Sequence, residues 1–145
     1  MGEPLSRRQV AMLIWGSLLV GVLGMSFVAA LVGEVTRLPG DDGVRVAAIL
    51  SAAGLAAAAA SWVVPRLLRR SPEGSEALAL ARLVLSLGMA EAACLLAVVA
   101  YMLSGSAVTA APFAAGLLAF AARFPTPGSW ARLGEAGAGP NRMVR

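Results

Sequence analysis

The sequence predicts an all-α integral membrane protein, a four-helix bundle of two helical hairpins with both termini cytoplasmic. Three observations predict it. Its 145 residues are 59% hydrophobic and only 14% charged, where soluble domains sit near 45–50% and about 25%. The mean hydropathy is correspondingly high, at +0.78. Four apolar stretches, about residues 10–32, 44–64, 77–103 and 108–124, are parted by turn-rich connections. The first three reach the roughly 20 residues that a helix needs to cross a bilayer. Finally, the arginines gather at alternate connections, as membrane topology requires.

The first span follows Arg7 and Arg8. Ser6-Arg7-Arg8-Gln9-Val10 resembles a twin-arginine export signal, and Val28-Ala29-Ala30 would serve as a small-residue cleavage site. Against both, the apolar run of residues 10–32 exceeds the roughly 7–15 residues of a signal h-region. More apolar spans follow it, not an exportable domain, so an uncleaved span is expected. In the connection at residues 33–43, Pro39-Gly40 and Asp42-Gly43 are turn signals. Asp41 and Asp42 lack the ligand count of a calcium loop and are read as solvated turn residues.

The second span is alanine-rich, with Ala56–Ala60 unbroken. Small side chains let helices approach closely where lipid removes the hydrophobic drive to associate. Pro65 is expected to end it, ahead of Arg66, Arg69 and Arg70. Ser71-Pro72-Glu73-Gly74 makes the middle turn, and Ser104-Gly105-Ser106 the tight turn into the fourth span. Thr109 is the expected cap of that last helix, with Pro112 tolerated in its first turn. The segment from Thr109 to Phe124 spans about 22 Å at 1.5 Å per residue, short for a core of about 30 Å. Either the helix begins earlier and kinks at Pro112, or it is short. Residues 1–126 thus form one transmembrane domain, and the Gly- and Pro-rich residues 127–145 a flexible cytoplasmic tail.

Orientation follows from the twelve cationic residues, all arginines. Arg7, Arg8, Arg66, Arg69, Arg70, Arg123, Arg132, Arg142 and Arg145 share one side, against Arg37 and Arg45 on the other. The positive-inside rule makes the richer side cytoplasmic. Trp62 and Trp130 fall near that face, where interfacial anchors belong.

The third span carries two charges. Nine residues at 100° each place Arg82 and Glu91 about 180° apart, so they cannot pair. Arg82 lies within two turns of the cytoplasmic end and can snorkel to the headgroups, which makes it a topology anchor with Arg7, Arg8, Arg66, Arg69, Arg70 and Arg123. Glu91 lies about 18 Å from the far end of its helix. A charge at the bilayer centre costs at least about 2.5–3.5 kcal/mol, so such a residue points to a function by default. Its helix face includes Val84, Leu87, Gly88, Leu95 and Val98, with Gly88 leaving room for a neighbouring helix. The polar candidates at similar depth are Ser17, Ser26 and Ser51. Three roles stand open: a protonated side chain hydrogen-bonded to another helix, a proton or cation carrier, and a contact with a partner subunit.

Residues 82–130 carry a resemblance. Glu91, Ala100, Tyr101, Leu103 and Gly105, followed by Arg123, Phe124, Pro125 and Thr126, resemble an uncharacterised family of small four-helix bacterial inner-membrane proteins. Its members show A-x-x-E-x-x-x-L-x-x-V-A-Y-x-L-x-G and then R-F-P-T or R-P-T. The resemblance implies fold and topology and no biochemical role. More weakly, Ala90-Glu91-Ala92 in an alanine-rich helix is similar to the second helix of ATP-synthase c-type proteolipids, whose glutamate carries the proton. Here the acid sits on the third span, the first helix has only Gly16, Gly21 and Gly24, and no clear Arg-Gln-Pro turn is present.

With one cysteine and no histidine, a Cys/His zinc or haem site within one chain is excluded, and no cofactor or metal is expected. Cys94 is read as a small packed hydrophobe. The pI near 11.0 reflects topology, so no nucleic-acid partner is expected. No Ser/His, HExxH or paired-aspartate arrangement is present, which argues against an enzyme. The expected function is that of a multi-pass helix-bundle subunit or accessory protein of the bacterial inner membrane, homo-oligomeric or part of a membrane complex. The alternative is a proton- or cation-translocating proteolipid or small transporter using Glu91.

Overall fold

The computed structural model describes residues 6–33, 37–38, 40–67 and 75–129. They form α1 (Arg7–Val32), α2 (Asp41–Leu67), α3 (Ser75–Ser104), a 3-10 turn (Ala107–Thr109) and α4 (Ala110–Ala122). The chain is all-helical, without strands among the described residues. Three helical segments are long and apolar enough to cross a membrane: Arg7–Val32, Asp41–Leu67 and Ala77–Ser104. The fourth apolar stretch, Ala107–Ala122, is shorter.

The pair Arg7-Arg8 is helical, and the reason lies in the residues around it. Ser6 and Gln9 form a capping box: Gln9 N–H donates to Ser6 Oγ at 3.3 Å and Ser6 N–H to Gln9 Oε1 at 2.7 Å. Two of the N–H groups that a helix start leaves without intrahelical partners are thereby satisfied. α1 accordingly begins a turn earlier than the expected span.

α2 is also longer than expected, at both ends. Asp41 and Asp42 are its first-turn acids, where the helix dipole favours negative charge, and not turn residues. Pro65 lies inside the helix with Arg66 and Leu67 beyond it; it takes the helical N–H from the carbonyl four residues earlier, here that of Ser61, and the helix nevertheless runs past it. The buried face of α2 is Gly43, Ala47, Ser51, Gly54, Ala58, Ser61 and Pro65, a stripe with no side chain larger than proline. A Cβ added at Gly54 would stand 3.0 Å from Pro112 Cβ and 3.2 Å from Ala93 O, so α3 and α4 both reach the α2 backbone there.

α3 touches every other helix and is the hub of the fold. It ends at Gly105, whose φ of +64° is the left-handed conformation that glycine adopts without penalty. The cap of the next element is Ser106 and not Thr109. Ser106 Oγ accepts from Val108 N–H at 3.3 Å and opens the 3-10 turn, whereas Thr109 is helical and makes no side-chain cap. Thr109 Oγ1 donates instead to Ser106 O at 2.8 Å. α4 therefore starts through a tight turn, keeps Pro112 in its first turn and stays short.

Specific contacts set the order of the ends. Leu38 N–H donates to Leu103 O at 2.9 Å, joining the α1–α2 connection to the end of α3. At the opposite end Arg8 Nε donates to Pro125 O at 3.3 Å, and Trp15 Nε1 to Phe120 O at 2.9 Å. The start of α1 and the end of α4 thus lie together. A core of Ala11, Val22, Leu83, Leu87, Ala90, Cys94, Ala119 and Phe120 fills the half near this arginine-rich end, with Trp15, Leu18 and Phe113 against it.

Candidate functional site

Glu91 lies in the middle of α3, partly exposed, on the flank that faces α1. A Cβ added at Gly21 would meet its Oε1 at 4.0 Å, so the carboxylate rests over the α1 backbone. One turn along α1 is Gly24, and one turn back along α3 is Gly88. Both are exposed, and neither would bring an added Cβ within 4 Å of any atom. Exposed Ser17 and Val84 extend the strip. The result is a strip along α1 and α3 where three glycines carry no side chain, an α1/α3 channel with the Glu91 carboxylate beside it.

No hydrogen-bond donor among the described residues meets that carboxylate. Ser17 Oγ donates to Ile14 O at 3.0 Å and Ser26 Oγ to Val22 O at 2.8 Å, both within their own helix. Ser51 is buried on the inner stripe of α2, where its Oγ has no hydrogen-bond partner. None of the three serines meets Glu91, and no side chain among the described residues donates a hydrogen bond or ion pair to it. Among the described residues no three Cys, Asp or Glu side chains come together as a metal site.

At the arginine-rich end a second constellation forms. Arg123, just past α4, donates from Nη2 to Ser61 O at 2.6 Å and from Nη1 to Ser61 Oγ at 3.3 Å. Ser61 is fully buried, and its carbonyl is the one that Pro65 leaves without a helical N–H. The guanidinium thus replaces the donor that the proline removed. It also lies 4.5 Å over the Trp62 ring, a cation–π contact. Phe124 meets Trp15 edge-on at 5.0 Å, Pro125 O accepts from Arg8, and Thr126 Oγ1 accepts from Ser129 N–H at 3.1 Å. Every residue of the R-F-P-T sequence therefore locks α4 to another element or caps the next turn. Sequence pattern marks Arg123 only as a topology anchor, because its partner lies 62 residues earlier.

Of the other expected anchors, Arg7 and Arg8 open α1 and Arg66 is exposed in the last turn of α2. Arg82 is partly buried in the second turn of α3. Arg69, Arg70 and the tail from Trp130 onward lie outside the described residues. An apolar cavity of about 230 Å³ opens at the opposite end, between α1, α3 and the start of α4, lined by Ala29, Val98, Tyr101, Thr109 and Phe113 among others. Comparison with family models, curated proteins and solved structures finds no match.

Proposed function

We propose that the protein is a non-enzymatic subunit of a bacterial inner membrane, a four-span bundle with cytoplasmic termini that self-associates through the α1/α3 channel. Three segments long and apolar enough to cross a membrane support the spanning reading. The grouping of arginines supports the orientation. One observation carries the association: the Glu91 carboxylate meets no donor among the described residues and sits near open glycines. Membrane helices associate through small residues, and polar side chains hydrogen-bond across the contact. In its neutral form a carboxyl group is donor and acceptor at once, so the same group on a second copy can complement it. Such a contact is isologous, the same surface meeting itself about a twofold axis.

Gly88→Leu tests this with little disturbance of the fold, because a Cβ added at that position meets no atom of another element within 4 Å among the described residues. Association measured by cross-linking or sedimentation in detergent should fall to the monomer, with thermal unfolding of the chain unchanged. An assembly as strong as that of the wild type would refute the channel as the interface. Orientation is checked separately. Reporter fusions after Arg145 and in the connection at residues 33–43 should lie in opposite compartments, and a shared compartment overturns the four-span arrangement.

The partial exposure of the Glu91 carboxylate favours a second reading, a proton or cation carrier. Glu91→Gln separates the two. Glutamine keeps the shape, an acceptor and a donor, so association should survive, but an amide cannot release and rebind a proton. We expect proton flux into liposomes to be indifferent to Glu91→Gln. A wild-type conductance that this change abolishes would promote the carrier to first place.

A further inference from the structure

The guanidinium of Arg123 is held in place by Ser61 and lies over the face of Trp62. Arg66 follows Trp62 by one helical turn, so it projects from the same flank of α2 as the indole. Arg123 over the Trp62 ring and Arg66 one turn further along α2 thus put two cations beside the same indole. Neither makes an ion pair among the described residues. Trp62 is 42% exposed, and its indole N–H is not used in any hydrogen bond among those residues. Two like charges and one idle donor are thus gathered without the anion that would balance them. In a spanning chain this end lies at headgroup depth, where tryptophan is enriched and where basic pockets between helices receive acidic lipid.

We propose that Arg66, Arg123 and Trp62 bind the phosphate group of an anionic phospholipid in the leaflet at this end. Guanidinium groups suit phosphate because their planar N–H fork matches its oxygens. A net anionic headgroup fits better than a zwitterionic one, because a quaternary ammonium beside two guanidinium groups would be repelled. Arg123 is pre-positioned by its bonds to Ser61, while exposed Arg66 closes on the ligand.

This site rests on the membrane reading, whose failure would appear in the reporter fusions and not in the following experiment. The purified full chain in detergent is titrated with phosphatidylglycerol or phosphatidylcholine, and bound lipid is counted by native mass spectrometry. Phosphatidylglycerol should be retained in preference to phosphatidylcholine. Arg66→Gln should weaken that retention about fivefold, the worth of one cation at a membrane surface. Arg66→Lys should recover most of it, and neither variant should shift thermal unfolding without lipid. Equal retention of the two lipids, or no difference between wild type and Arg66→Gln, overturns the site. A third arm adds millimolar inorganic phosphate. Displacement of phosphatidylglycerol by the free ion would assign the site to a soluble phosphate and overturn the lipid assignment.

Discussion

Arg123→Ala is expected to destabilise the protein by about 2–3 kcal/mol, and most of that loss should disappear when Pro65 is also replaced by alanine. The reason is a single carbonyl. Ser61 O is buried, Pro65 offers it no N–H, and Arg123 Nη2 is its donor at 2.6 Å. A buried acceptor left unmet costs roughly 1–3 kcal/mol. Loss of the contact with Trp62 adds about 0.5–1 kcal/mol. Pro65→Ala restores the helical N–H and returns the carbonyl to the backbone ladder, so only the Trp62 contact and the longer bond to Ser61 Oγ remain to be lost. Thermal unfolding of the four proteins of this double-mutant cycle, in one detergent, measures the coupling. Equal costs of Arg123→Ala with and without the Pro65→Ala change would refute the account.

Gly116→Ala is expected to cost a further distinct amount, about 1–3 kcal/mol, the usual penalty for overpacking a close-fitted contact. A Cβ there would stand 2.9 Å from Ala90 O and 3.3 Å from Cys94 N, and would overlap Cys94 Sγ. Sulfur can turn aside, but the α3 backbone cannot, so α4 must move away from α3. Cys94→Ala in the same chain should recover part of the loss and not all of it, because the Ala90 carbonyl remains. Gly24→Ala is the control. Its added Cβ meets nothing within 4 Å, so the chain should be unharmed or gain slightly from the better helix former. A Gly116→Ala protein that unfolds at the wild-type temperature would show that α4 does not depend on this contact.

Much of the architecture is legible from local pattern alone. Long apolar runs can satisfy their backbone only as helices when water is scarce, and glycine or proline marks where each run would stop. The turn at Ser104-Gly105-Ser106 is readable because Gly105 needs a positive φ. The capping box at Ser6 and Gln9 is equally readable, as Ser-x-x-Gln ahead of an apolar run. The arginine pair between them draws the eye to export signals instead. The boundaries at Pro65 and Thr109 mislead for a common reason. A proline ends a helix only if nothing else satisfies the freed carbonyl, and a threonine caps only if its backbone is extended. Neither condition is visible in a run of neighbouring residues.

The sequence by itself determined that this chain is helical, where its arginines gather, and that one acid stands alone in the third apolar run. Those are properties of composition and of spacing along one helix, and helix geometry converts them directly into faces and depths. Only the tertiary structure decided which partner each polar group received. It gave Arg123 to the carbonyl freed by Pro65, kept the Ser17 and Ser26 hydroxyls within their own helix, and left Glu91 against Gly21 with no donor among the described residues. Hydrogen-bond satisfaction of a buried group depends on what another helix brings within about 3 Å of it. Residues 62 apart in the chain meet only through packing, and Gly21 comes to lie against Glu91 only because α1 packs on one flank of α3.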